Sequence, residues 1–259
     1  MNRRHWPAMA LLPMAIAMAA ASAEEGENDG MHILPVETYA CDYKEGKGRN
    51  DLDKAIATWN AWMDSKAVDS YGAMVLEPFY FGPESFDVAW LGFWTSGDAM
   101  GAGTDLYLKE GGAAAQAFAA VVTCNSHSNF ASAGIKAPPA GGPPDSMVLQ
   151  FSDCSVRDGT EWGALMQGYA DWASYQEAEQ YGNGLWMLFP AFGGGDAEYD
   201  FKEVTSYADH TAAGKAYEKY ANGGGWEKHQ ETVAHMLRCN DARVYNVTFV
   251  RKLPPPPSE

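Results

Sequence analysis

The stretch Asp51-Leu-Asp-Lys-Ala-Ile-Ala-Thr-Trp-Asn-Ala-Trp-Met-Asp64 sets Leu52, Ile56, Trp59 and Met63 at helical spacing, with Trp62 and Tyr71 following. Adding 110 to each number gives Trp162, Met166, Tyr169, Ala173, Trp172 and Tyr181, a second apolar face with the aromatic landmarks kept. Self-similarity at such a period means one unit built twice. The match continues with a drifting offset: Pro78 with Pro190, Phe86-Asp87 with Tyr199-Asp200, Tyr107 with Tyr217, and Gly111-Gly112 with Gly223-Gly224. Cys41 corresponds to Cys154, and Cys124 to Cys239. A Pro/Gly tract over 138–145 reads as an extended linker between a first repeat, 31–137, and a second, 146–253.

Periodicity predicts strands over 32–43, 73–81, 86–94 and 128–136, and helices over 51–64 and 105–122. The second half repeats this order: strand 146–156, helix 161–179, strands 184–192 and 198–207, a glycine-broken helix ending near 237, and strand 243–252. The class is α+β, and βαββαβ is the ferredoxin-like arrangement. In the segment 86–94, Phe86, Val88, Trp90 and Trp94 point one way and Ala89, Leu91 and Phe93 the other. Helices cover one face of such a sheet, so the apolar second face needs the other half. The expectation is two tandem repeats packed sheet to sheet as a pseudo-dimeric barrel.

The repeat and the double-sided burial together resemble the dimeric α+β barrel superfamily, which includes antibiotic-biosynthesis-monooxygenase-like and stress-responsive barrel proteins. The resemblance is architectural, spans nearly the whole mature chain, and matches no member family by motif. The cofactor-free oxygenases of the superfamily use Asn, Trp and His side chains in a pocket. Here Asn60 and Trp59 are adjacent, with no His placed beside them by the sequence. Some barrels of the superfamily bind haem, and no residue pattern here points to it.

Arg3 and Arg4, the apolar run 8–20 and the small residues Ala21-Ser22-Ala23 read as a signal peptide over 1–23. An acidic flexible stretch, 24–30, follows, and a Pro-rich tail, 254–259, ends the chain. No later segment approaches the roughly 20 apolar residues of a membrane span, so no membrane insertion is expected. The implied location is periplasmic or secreted. The whole chain carries a formal charge of −16; without Arg3 and Arg4, 16 basic residues face 34 acidic ones, giving −18. Such a charge disfavours nucleic acid and anionic lipid as partners.

An exported chain with four symmetrically placed cysteines implies disulfides. In the βαββαβ order the first and last strands are antiparallel neighbours, which pairs Cys41 with Cys124 and Cys154 with Cys239. The spacings do not match a zinc motif, and no metal site is expected. His229 and His235 are six apart, too far around a helix to share an ion, and read as solvated.

Asp87 and Asp200 occupy matched places at the start of a strand. They read first as turn caps and secondly as carboxylates near a pocket mouth. Aromatic side chains concentrate in the same strands. The residues expected to touch a ligand are Tyr80, Asp87, Trp90, Trp94, Phe192, Asp200 and Tyr207. The glycine-rich segment 97–103 reads as a flexible loop or flap. No nucleophile, base and orienter set is recognisable, so no catalytic residue is named and no cofactor is called for. The expected function is an exported module binding a small, mostly apolar or aromatic molecule. The alternatives are a cofactor-independent oxygenase-like enzyme and a structural or interaction protein of the envelope.

Overall fold

The first half runs β1 (Ile33–Tyr43), α1 (Arg49–Ser65), β2 (Tyr71–Tyr80), β3 (Val88–Trp94), α2 (Gly97–Glu110), α3 (Gly112–Ala119) and β4 (Val122–Lys136). The second runs β5 (Ser146–Val156), α4 (Trp162–Ala178), β6 (Asn183–Phe192), β7 (Phe201–Tyr207), α5 (His210–Asn222), α6 (Gly225–Thr232), β8 (Leu237–Cys239) and β9 (Arg243–Arg251). The structure is a computed structural model describing residues 33–82, 86–139, 144–195 and 197–254. The expected signal peptide 1–23, the acidic stretch 24–30 and residues 255–259 of the tail lie outside the described residues. Among the described residues no helix is long and apolar enough to cross a membrane.

The two halves follow a matching element order, but their register differs from the sequence reading. Helix α1 buries Leu52, Ala55, Ile56, Trp59 and Met63, and α4 buries Leu165, Gly168, Tyr169, Trp172 and Gln176, together with Ala173. These two faces superpose at an offset of 113, not 110, and the same offset relates β1 to β5 and β3 to β7. Three residues are close to one helical turn, so both offsets keep the apolar face and periodicity cannot separate them. A single residue is missing from the second copy before β6. The turn that precedes it is otherwise shared, since Ala67 (φ 51°) and Gln180 (φ 53°) both take the left-handed conformation.

Each half contributes four antiparallel strands, ordered β4-β1-β3-β2 and β9-β5-β7-β6. Here the expectation of two sheets stacked face to face is corrected. The halves join through hydrogen-bonded strand edges, β2 to β9 and β4 to β6, which closes eight long strands into one barrel. Closure removes the exposed edges that two stacked sheets would leave. One buried cluster lines the interior and draws on all eight strands, among them Val36, Met74, Leu91, Phe130, Leu149, Leu188, Val204 and Val247. Both faces of β3 are covered as expected. Val88, Trp90 and Trp94 pack on the helix side, while Ala89, Leu91 and Phe93 face the interior. Phe86, outside the strand proper, turns to the interior instead.

Two element boundaries are corrected. The segment 97–103 is not a flap but the first turns of α2, because the Ser96 side chain accepts a hydrogen bond from the Ala99 N–H and caps the helix. Strand β4 begins at Val122, six residues earlier than expected, so Cys124 lies within it, opposite Cys41. The disulfides Cys41–Cys124 and Cys154–Cys239 are both formed.

Candidate functional site

Side chains at alternate positions of a strand share a face. On the helix side of β3 the series is Val88, Trp90, Gly92 and Trp94, so a gap opens between two indoles. Tyr71, from the neighbouring β2, fills that gap: a Cβ on Gly92 would lie 1.8 Å from the Tyr71 hydroxyl. Gly92 is also the register partner of Glu37 on β1. The Tyr71 side chain therefore passes over Gly92 to reach Glu37, donating to Oε1 at 2.7 Å and accepting from the Trp90 indole N–H at 2.8 Å. On the far side of Glu37, Nε2 of His127 from β4 lies 3.0 Å from Oε2. The His127 ring stacks on Tyr39, with centroids 3.8 Å apart.

This polar chain forms one wall of a cavity of about 410 Å³ between the sheet and helices α1, α2 and α3. The volume is that of a small-molecule site. The remaining wall includes Trp59, Trp62, Trp90 and Trp94, with Tyr39, Tyr107 and Phe118. Burial, and then the negative charge of Glu37, push the phenols of Tyr39, Tyr71 and Tyr107 above their usual range. All three are therefore neutral hydroxyls around one carboxylate. Helix α2 covers the cavity with Gly103, Thr104, Tyr107 and Leu108 but buries none of its own residues. Its C-terminal end is tied to α1 by Lys66 and Glu110 at 2.6 Å.

Of the seven residues expected at a ligand site, Trp90 and Trp94 line this cavity. Asp87 and Asp200 are exposed, and each does the same structural work in its half. The Asp87 carboxylate accepts the Tyr43 N–H at 2.9 Å while its own N–H donates to the Cys41 carbonyl. The Asp200 carboxylate accepts the Val156 N–H at 2.7 Å while its N–H donates to the Cys154 carbonyl. Tyr80 and Phe192 are exposed at the ends of β2 and β6. Tyr207 is half-buried against the helix-side core of the second half. Sequence reasoning missed Glu37, Tyr71 and His127. The one available signal was Gly92, a lone glycine on an otherwise apolar strand face, which marks a close approach.

A smaller cavity, about 230 Å³, opens between the strands and includes Ser126, Ser128, Lys202 and Arg243. Both cations are paired with Asp153. Burial opposes the charge on Asp153, but Lys202 and Arg243 outweigh it and hold the carboxyl below its usual value. Asn60 does not join Trp59 in the large cavity: its amide donates to the Val250 carbonyl at 2.8 Å and its oxygen faces Arg251. His229 is a correction to the solvated reading. It packs on Trp172 and meets the Tyr220 hydroxyl at 3.1 Å, and burial pushes its imidazole down to about 4. His235 is exposed.

The His127 Nε2 meets Glu37 and its ring stacks on Tyr39, while the His229 ring packs against Trp172 and Tyr220. Among the described residues no three His, Cys, Asp or Glu side chains converge on a metal position.

No family model matches the chain, and no curated protein matches it. Solved structures do. One described as a candidate chlorite dismutase is similar over 85% of this chain and 96% of its own, at 10% identity and a TM-score of 0.50. A mutant chlorite dismutase from Candidatus Nitrospira defluvii, in complex with cyanide, is similar over 84% and 91%, at 7% identity and a TM-score of 0.50. At such identities the likeness is one of architecture, and with the closed eight-stranded ring it makes this chain a dimeric α+β barrel in fold.

Proposed function

We propose that the protein is an exported binding module that holds one small, largely aromatic molecule in the first-half cavity. The observation that carries this is the wall itself: four indoles and three phenol rings around about 410 Å³, with Tyr71, Trp90 and His127 linked to Glu37 by hydrogen bonds. A pocket that is mostly apolar with a few converging polar groups is the usual form of a small-molecule site. Export is supported by the basic-apolar-small pattern of residues 1–23 and by two disulfides, which persist in oxidising compartments. The halves read as copies of one ferredoxin-like βαββαβ unit, given their matched burial, caps and disulfides. Turnover of the bound molecule would draw on Glu37, Tyr71 and His127, because Asn60 is committed to β9.

The test is binding, not activity. Native mass spectrometry and tryptophan fluorescence across a panel of small aromatic compounds should show one equivalent retained and the cavity indoles quenched. A panel in which nothing binds above nonspecific levels defeats the proposal.

A further inference from the structure

We infer that the cavity selects an organic cation, an aromatic or compact alkyl group carrying a quaternary or protonated ammonium. This rests on the reading of the cavity as a ligand site and adds the charge of the ligand. Among the lining residues Glu37 is the one acidic side chain, and no Lys or Arg lines the wall. An anion entering there would meet a carboxylate with no Lys or Arg on the wall and only the His127 imidazole beside it. A cation would meet that carboxylate and the electron-rich faces of the indoles and phenols, the arrangement that recognises ammonium groups in aromatic cages.

Three further observations point the same way. The wall already holds a cation on its outer side, where the Arg251 guanidinium lies 6.0 Å from the Trp59 ring while bound to Asp64 and to the Val68 carbonyl. His127, the other titratable group at the rim, is half-exposed and meets Glu37 through its Nε2, so an arriving ammonium can share the carboxylate without displacing a buried partner. The net charge of −16 adds a long-range field that favours cations over anions at any opening.

The probes are phenyltrimethylammonium and its uncharged isostere tert-butylbenzene, titrated into the full chain at low and moderate salt. The cation should bind about tenfold more tightly than the isostere, a ratio within the range of a desolvated cation–π contact. The variant Glu37→Gln should weaken the cation about tenfold and leave the isostere unchanged. The substitution keeps the shape of the side chain, and the second half already carries Gln150 at the same station of β5, so the strand accommodates it. Equal or tighter binding of the isostere overturns the inference and leaves the cavity as a neutral aromatic site. Cation binding that Glu37→Gln does not alter overturns it as well. Binding of neither probe defeats both the inference and the reading it rests on.

Discussion

In the first half the residue after the left-handed turn is Val68, and it borders the cavity; in the second half the residue at the same station is Tyr181, packed on Trp172 with ring centroids 5.8 Å apart. Neighbouring stations differ in the same sense. Ile56 becomes Tyr169 and Trp90 becomes Glu203, and these two replacements bind each other at 2.7 Å. Burial pushes the Glu203 carboxyl up, and the Tyr169 hydrogen bond only partly offsets this. Tyr71 becomes Asn183, which accepts from the buried Lys136 and donates to Gln176 at 3.2 Å, at the station of Met63. In the second half these polar groups bind one another among packed aromatic rings, whereas in the first Tyr71, Glu37 and His127 bind one another along the wall of a cavity. Disulfide, strand cap and helix-end turn are kept in both, so the backbone tolerates either content.

The largest effect tests whether the two halves are equal as scaffolds. Their disulfides span 83 and 85 residues. In the chain-entropy account, loops of that length are each worth about 4.6 kcal/mol. Replacing Cys41 and Cys124 by alanine, or Cys154 and Cys239, should lower the urea-unfolding free energy by similar amounts. A loss confined to one pair would mean that the halves do not share the load.

The next effect separates the halves. His229 has its pKa lowered from 6.5 to about 4. The unfolded chain therefore takes up this proton first as pH falls, and the stability that the neutral imidazole contributes is present above about pH 6.5 and lost progressively towards pH 4. The shift corresponds to about 3 kcal/mol. The equivalent station in the first half is Gln116, exposed on α3. The variant His229→Gln should flatten the stability profile in that window, read as the difference between the two proteins' urea midpoints from pH 7 to pH 4.5. Parallel profiles would show that the imidazole is not buried as described.

What the sequence disclosed follows the same division. The duplicated unit, the two-faced strand at Trp90 and the cysteine pairs were legible because alternation, helical period and antiparallel neighbourhood are local rules. Asp87 and Asp200 were legible as a matched pair for the same reason. The polar cluster was not, since Glu37, Tyr71 and His127 come from β1, β2 and β4 and meet only through strand register. The offset of 110 hid the substitutions as well. At 113 Val68 stands opposite Tyr181 and Trp59 opposite Trp172, and the exchange of a small residue for a large ring beside a shared indole becomes readable.

The smallest expected change in stability is the most direct attack on that contrast. Val68→Tyr gives the first half the residue that fills the second, after the same left-handed turn. Overpacking normally costs about 1–3 kcal/mol because neighbours must leave their rotamers. Here the added ring enters a cavity of about 410 Å³ and gains apolar contact there, so the net change should fall within about 1 kcal/mol of the parent. Ligand binding should nonetheless be lost, because the ring takes the space between Trp59, Trp62 and Trp94. Thermal unfolding and fluorescence titration on the same sample separate the two quantities. A variant of unchanged stability that still binds would place the ligand elsewhere than this cavity. One that unfolds outright would show that the space in the first half is already committed and that the two halves are less alike than their backbones.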